Sequence, residues 1–336
     1  GDVEFSRLPQ ASPRSLSAFD KSEFADDWRS LMRLYLVRRT RSFIQDNYAE
    51  TDTDTGRKFL TYEDGTKSFF PTRVPKTVKF TIDEHSPTDQ YARLYSQEVV
   101  DTVNALDLPR YGLGNYVAPS PHAPPTSAEA SQLQNLSLAG KRLMGFCRTN
   151  LFKRLESSGI AFLQSVERHI LRNYVFLHAI QHDLPLPIGT QDAEMLDSRF
   201  TDEDADEAQG SMFDPEDEEQ DNDSNGHPSK RPDSWTHASF QARASEIYDQ
   251  YAGPYRHRFK WLRSDLFIEG LEEDLKKDSA ALMQVLEQNG QWDPHHDAKL
   301  DALHELLTVQ HPDKKVLIFT QFADTVRYLE AQLKAR

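Results

Sequence analysis

The sequence predicts a mainly α-helical fold with a small β component, and three observations carry that reading. Apolar residues recur at steps of three and four through most of the chain, the spacing of one buried helix face. Period-two alternation is confined to residues 57–84. A single continuous run of β-branched and aromatic type, Val316-Leu317-Ile318-Phe319, has the composition of a strand covered on both faces.

In chain order, residues 1–20 are irregular, with Pro9 and Pro13. Phe24, Trp28, Leu31, Met32, Tyr35 and Leu36 then predict a helix over 22–48, which carries the basic group Arg38-Arg39-Thr40-Arg41. Tyr62-Glu63-Asp64-Gly65 reads as a turn between short strands, and Thr77 to Ile82 alternates as a further strand would. Ser86 followed by Pro87 gives an N-cap and a first helical residue, so a helix is expected from Pro87 to about Ala105. Residues 107–129 are rich in Pro, Gly and Ser and read as a loop.

A long basic helical section over about 130–182 follows. Its apolar stripe is Leu151, Leu155, Phe162, Val166, Ile170, Tyr174 and Leu177. Lys153, Arg154, Arg168 and Arg172 belong to its cationic excess, which only Glu156 and Glu167 oppose. Helices are expected again over 237–252 and 263–288, joined by the aromatic and basic run from Tyr255 to Trp261. Asp293-Pro294 interrupts the chain, and a helix with Leu300, Leu303, Leu306 and Leu307 leads to the Val316–Phe319 strand. Val326, Leu329 and Leu333 then mark an amphipathic helix. A buried strand feeding such a helix is half of a βαβ unit, which needs further strands beside it. The chain is therefore expected to be a piece of a larger protein.

The net charge of −15 over 336 residues is unevenly spread. Asp192 to Asp223 holds fifteen acidic residues against Arg199 alone, leaving about −1 for the other 304. This stretch is too poor in apolar residues to offset the entropy of ordering, and a disordered insertion over 191–236 is expected. Overall acidity thus does not exclude a nucleic-acid partner. Hydrophobic content of 38% and a mean hydropathy of −0.69 agree with a partly unpacked chain. There is no 18-residue apolar run, which argues against a membrane partner. The one cysteine, Cys147, precludes an internal disulfide, and a cytoplasmic location is expected. His295, His296, His304 and His311 show neither nearby cysteines nor a HExxH pattern, so no metal ligands are assigned.

Several segments, in order, resemble the Swi/Snf-type ATPases of helicase superfamily two. RLYLVRRTR, residues 33–41, is similar to the arginine pair that ends a helix late in the first RecA-like lobe. FPTRVP followed by TVKFTIDEHSPTDQYARLY resembles the passage out of that lobe. Lys299 in DAKLDALHELL looks like the lysine segment opening the second lobe, and KVLIFTQFADTVRYLEAQL resembles its first strand and fourth helicase motif. LFKRLESSGIAFLQSVERH is similar to bacterial members with a long helical region between the lobes.

The resemblance implies a division into residues 1–50 (end of the first lobe), 51–190 (helical inter-lobe region with a short β segment), 191–236 (acidic insertion), 237–292 (helical) and 293–336 (start of the second lobe). It implies a helical inter-lobe region plus the first βα unit of a RecA-like α/β lobe. The parent would be an ATP-dependent DNA helicase or translocase using ATP and Mg2+ on double-stranded DNA, together with the remaining parts of the motor. Thr320 and Gln321 would meet the DNA backbone, where a hydroxyl, an amide and a helix N-terminus offer donors to phosphate. Lys153, Arg154, Arg168 and Arg172 would line the duplex groove. Arg38, Arg39 and Lys299 would lie near the nucleotide or act in lobe closure.

The chain by itself carries no Gly-Lys-Ser/Thr phosphate loop. Gly140-Lys141-Arg142 lacks the hydroxyl residue and the upstream glycine, and no magnesium-binding acidic pair follows a buried strand. No catalytic residue and no bound cofactor are therefore expected of this chain alone. The alternative expectation is a non-enzymatic helical interaction or scaffold protein.

Overall fold

The structure, a computed structural model, describes residues 40–71, 73–189 and 235–336. The expected helix over 22–48 is thus described only at its end, and Arg38, Arg39 and the acidic stretch over 191–234 lie outside the described residues. The chain divides into two compact units, Gly1–Thr77 and Val78–Arg336.

In the first unit, helix α1 (Arg41–Asn47) starts at Thr40, whose hydroxyl accepts from the Phe43 amide at 3.1 Å. Three antiparallel strands follow, β1 (Glu50–Thr51), β2 (Lys58–Thr61) and β3 (Lys67–Phe69), with Phe59 opposite Phe69. The expected turn joins β2 to β3. Gly65 takes a φ of 79°, which glycine adopts without penalty, and Asp64 accepts from the Thr66 amide at 2.9 Å. The face is held by one aromatic pair: Phe59 is buried and its ring lies 5.2 Å from that of Phe69.

The second unit is helical and is built around one segment. Its elements are α2 (Gln90–Leu94), α3 (Gln97–Ala105), α4 (Ser127–Ser157), α5 (Gly159–Gln181), β4 (Leu186–Ile188), α6 (His237–Ala252), β5 (Lys260–Leu262), α7 (Gly270–Asn289), α8 (Ala298–Glu305) and α9 (Ala323–Ala335). Seventeen of the 23 residues of α5 are buried, the pattern of a helix covered on every side. It packs chiefly against α7, α6 and α4, while β4 and β5 form a two-stranded antiparallel ladder beside it. All seven stripe residues from Leu151 to Leu177 are in the core. Mainly helical architecture with small antiparallel sheets is therefore what the chain forms. No helix among the described residues is long and apolar enough to cross a membrane.

Four expectations need correction. The helix from Pro87 starts instead at Gln90, because Ser86–Asp89 closes as a turn with Pro87 in it and Asp89 supplies the cap. It breaks again at Ser96, which caps α3. The basic section is two helices rather than one. Ser158, extended at φ −161° and ψ 147°, caps α5 on the Ala161 amide, and the next residue, Gly159, has no room for a side chain: a Cβ there would stand 2.2 Å from the Trp292 ring. Among the described residues Thr77–Ile82 joins no ladder, so the expected strand is not formed there.

The fourth correction concerns Val316–Phe319. Among the described residues these four join no ladder; they have no regular secondary structure and stand at 37%, 71%, 44% and 89% exposure. A strand composition alone does not supply the neighbours whose N–H and C=O groups a ladder needs. Among the described residues, then, no sheet partner accompanies this segment.

Candidate functional site: a polar joint where α9 meets the α4–α5 junction

Helix α9 was expected to bury Val326, Leu329 and Leu333. Leu329 and Leu333 are half-buried and Val326 is 50% exposed, while the fully buried residues are Phe322, Asp324 and Thr325 at the start of the helix. The reason lies across the contact, where α4 ends and α5 begins with two arginines and a serine pointing at it.

Asp324 Oδ2 accepts from Arg154 Nη1 at 3.2 Å and from Arg168 Nη2 at 2.5 Å, with all three side chains only 2–3% exposed. Charges this deep stay ionised only when paired and hydrogen-bonded. The Arg154 guanidinium also lies 4.6 Å over the centre of the Phe322 ring, a cation–π contact in a dry setting. Beside it, Ser157 Oγ is 2.8 Å from Thr325 Oγ1 and 3.2 Å from Thr320 Oγ1.

Helix α8 closes the joint from the third side. Lys299 Nζ donates to the Ser157 carbonyl at 2.8 Å and to the Glu156 carbonyl, satisfying the last acceptors of α4 where a cation also meets the negative helix end. Burial pushes the Lys299 ammonium below its usual range, against the pull of Asp297 and Glu156. Asp297 caps α8 through the Lys299 and Leu300 amides and accepts from the Tyr328 hydroxyl at 2.7 Å. Tyr328 in turn accepts from Trp292 Nε1 at 3.1 Å. Burial is the main reason the Tyr328 phenol is held above its normal range, with Asp297 adding to it. A cavity of about 400 Å3 opens here between Phe80, Tyr91, Lys299, Leu303, Ile318 and Phe319.

The joint thus gathers Arg154, Arg168, Lys299 and Thr320 from the expected site. Within the chain each of these side chains has an intramolecular partner. Arg154 and Arg168 are spent on Asp324 and present no cation to a duplex in this arrangement. Arg172 is likewise buried, at 4% exposure, beside His169, whose imidazole is pushed well below its usual range by burial and by the Arg110 and Arg172 charges. Lys153 and Gln321 are exposed, and Thr320 is half-buried on Ser157. The run from Tyr255 to Trp261 uses its rings internally: Phe259 is buried, and Arg258 and Arg256 lie 5.2 Å over Tyr255 and Trp261.

Asp324, Ser157, Tyr328 and Asp297 were not singled out by sequence reasoning. No local signal marks the first, because Asp324 lies 170 positions from Arg154 and 156 from Arg168.

Compared with known proteins, the chain matches no family model, no curated protein and no solved structure.

Proposed function

We propose that this chain is the inter-lobe region and opening βα segment of a Swi/Snf-like, ATP-dependent DNA translocase or helicase. In that reading it contributes DNA-backbone contacts, while ATP and Mg2+ are handled by the rest of the motor. The observation that supports it best is the outward face of the terminal segment. Val316–Phe319 is apolar and exposed, Val326 of α9 is half exposed beyond it, and Asp324 and Thr325 at the start of α9 are buried. An apolar strand-like run left open in front of a firmly seated helix suits a segment that a further sheet covers.

The DNA contact in this reading falls to the exposed donors, Lys153 and Gln321, with Thr320 at the start of the same turn. Contacts of this kind position a protein on phosphate without reading bases. The test is fluorescence anisotropy of a labelled duplex across a salt series. The reading expects log K to fall linearly with log salt, and no ATP hydrolysis by the chain alone. Salt-independent binding, or none at 50 mM salt, would count against it.

A second reading, a non-enzymatic helical interaction protein, is favoured by one specific observation. Arg154, Arg168 and Arg172, three of the cations expected to face a duplex, are consumed inside the fold. In that case the exposed Val316–Phe319 run takes a protein partner, and the anisotropy experiment shows no DNA binding.

A further inference from the structure

Away from this joint, the end of α5 and the start of α6 face each other across a cavity of about 620 Å3. Its walls carry His178, His182 and His237, with Gln181, Gln241 and Lys276. Residues four apart lie on one helix face, and the His178 and His182 rings are 4.3 Å apart, centre to centre. The His182 Nδ1 atom is 2.8 Å from the His178 carbonyl oxygen. A carbonyl only accepts, so that contact places the proton on Nδ1 and leaves the Nε2 lone pair available. Anchoring one ring nitrogen to a backbone carbonyl is how metal-binding histidines are oriented.

Neighbouring contacts hold the pair in place. His178 is also steadied by the Tyr248 ring at 5.3 Å. Lys276, the cation on the cavity wall, is held by Glu272 at 2.7 Å, and Gln181 donates to the same carboxylate at 3.0 Å. His237 is engaged through Nδ1 by the Tyr174 hydroxyl. Among the described residues no three His, Cys, Asp or Glu side chains converge on one point, so this chain would offer an ion two imidazoles and no third such ligand.

We propose that His178 and His182 are the two protein ligands of an open transition-metal site, taking Cu2+, Ni2+ or Zn2+ and not Mg2+ or Ca2+. Two imidazoles and water are a borderline donor set, suited to the later first-row ions and ill suited to hard cations that demand oxygen. The site is independent of the DNA-motor reading.

Isothermal titration of CuCl2 and ZnCl2 into the full chain, in a non-coordinating buffer at pH 7.5, tests it. His178→Gln and His182→Gln are compared with His237→Gln, which removes an imidazole from the same cavity but not from the pair. One equivalent should bind, Cu2+ more tightly than Zn2+, with no competition from excess Mg2+. Either ligand variant should weaken it by at least about tenfold, the loss seen when even a ligand's supporting contact is removed. The double variant should abolish it and His237→Gln should retain it, each with unchanged circular dichroism. An unaltered isotherm in the folded double variant, or equal loss in His237→Gln, would overturn the assignment.

Discussion

Replacing Asp324 by alanine would leave Arg154 and Arg168 facing each other in a pocket where each is 2% exposed. Three hydrogen bonds from the two arginines are lost, of which the two shorter ones contribute about 1.5–3 kcal/mol each. Removing one member of a buried ion pair costs about 3–5 kcal/mol by a separate line of measurement. Both point to about 4 kcal/mol. That cost should appear locally, because the core around α5, α6 and α7 does not depend on α9 for its apolar contacts. At about 1.4 kcal/mol per decade, amide exchange in residues 320–335 should quicken by about a thousandfold, while α5 and α7 keep their protection. Hydrogen-exchange mass spectrometry reads this directly. Asp324→Asn, which keeps an acceptor, should lie between the two. An acceleration below tenfold would refute the claim that the ionic joint seats α9. Equal loss across α5 and α7 would refute the claim that it acts locally.

Three further outcomes are expected. Gly159→Ala would drive a Cβ to within 2.2–2.3 Å of the Trp292 ring and 3.1 Å of Leu94, and should cost about 1–3 kcal/mol in urea unfolding. Lys299→Met removes the donor to the Glu156 and Ser157 carbonyls and should cost about 1 kcal/mol, read by the same denaturation. Asp278 is raised from 3.8 to about 6, chiefly by burial, although it accepts from the Asp107 and Leu108 amides at 2.9 and 2.7 Å. Between those two values the native state binds the extra proton, so this group favours folding below about pH 4 and that contribution disappears as pH rises through 6. The swing is about 3 kcal/mol. Asp278→Asn should flatten the stability profile between pH 4 and 6; an unchanged slope would show that Asp278 is not its source.

The helical body was legible because burial follows periodicity. Leu151 to Leu177 reads as one stripe and packs as one. The β2–β3 turn was equally clear, since Gly65 needs the conformation that glycine favours. What could not be read were facts about neighbours. A hydroxyl and a glycine at Ser158-Gly159 carry a helix break only because Trp292, far along the chain, occupies the space a side chain would fill. Arg154 and Arg168 look like surface cations until Asp324 is placed against them. Val316–Phe319 has a strand's composition, yet pairing is a property of two segments and not of one. The counter-charges at the joint lie some 156 and 170 positions from their arginines, beyond the reach of any local pattern.

The central functional claim, that this chain holds DNA by its phosphates through residues left exposed at the joint, is tested most directly by Lys153→Ala. Measured on the same duplex, the variant should bind more weakly and lower the slope of log K against log salt by about 0.9, one phosphate contact's worth. An unchanged slope in a variant that folds normally, or a parent chain with no measurable slope at all, would contradict the account.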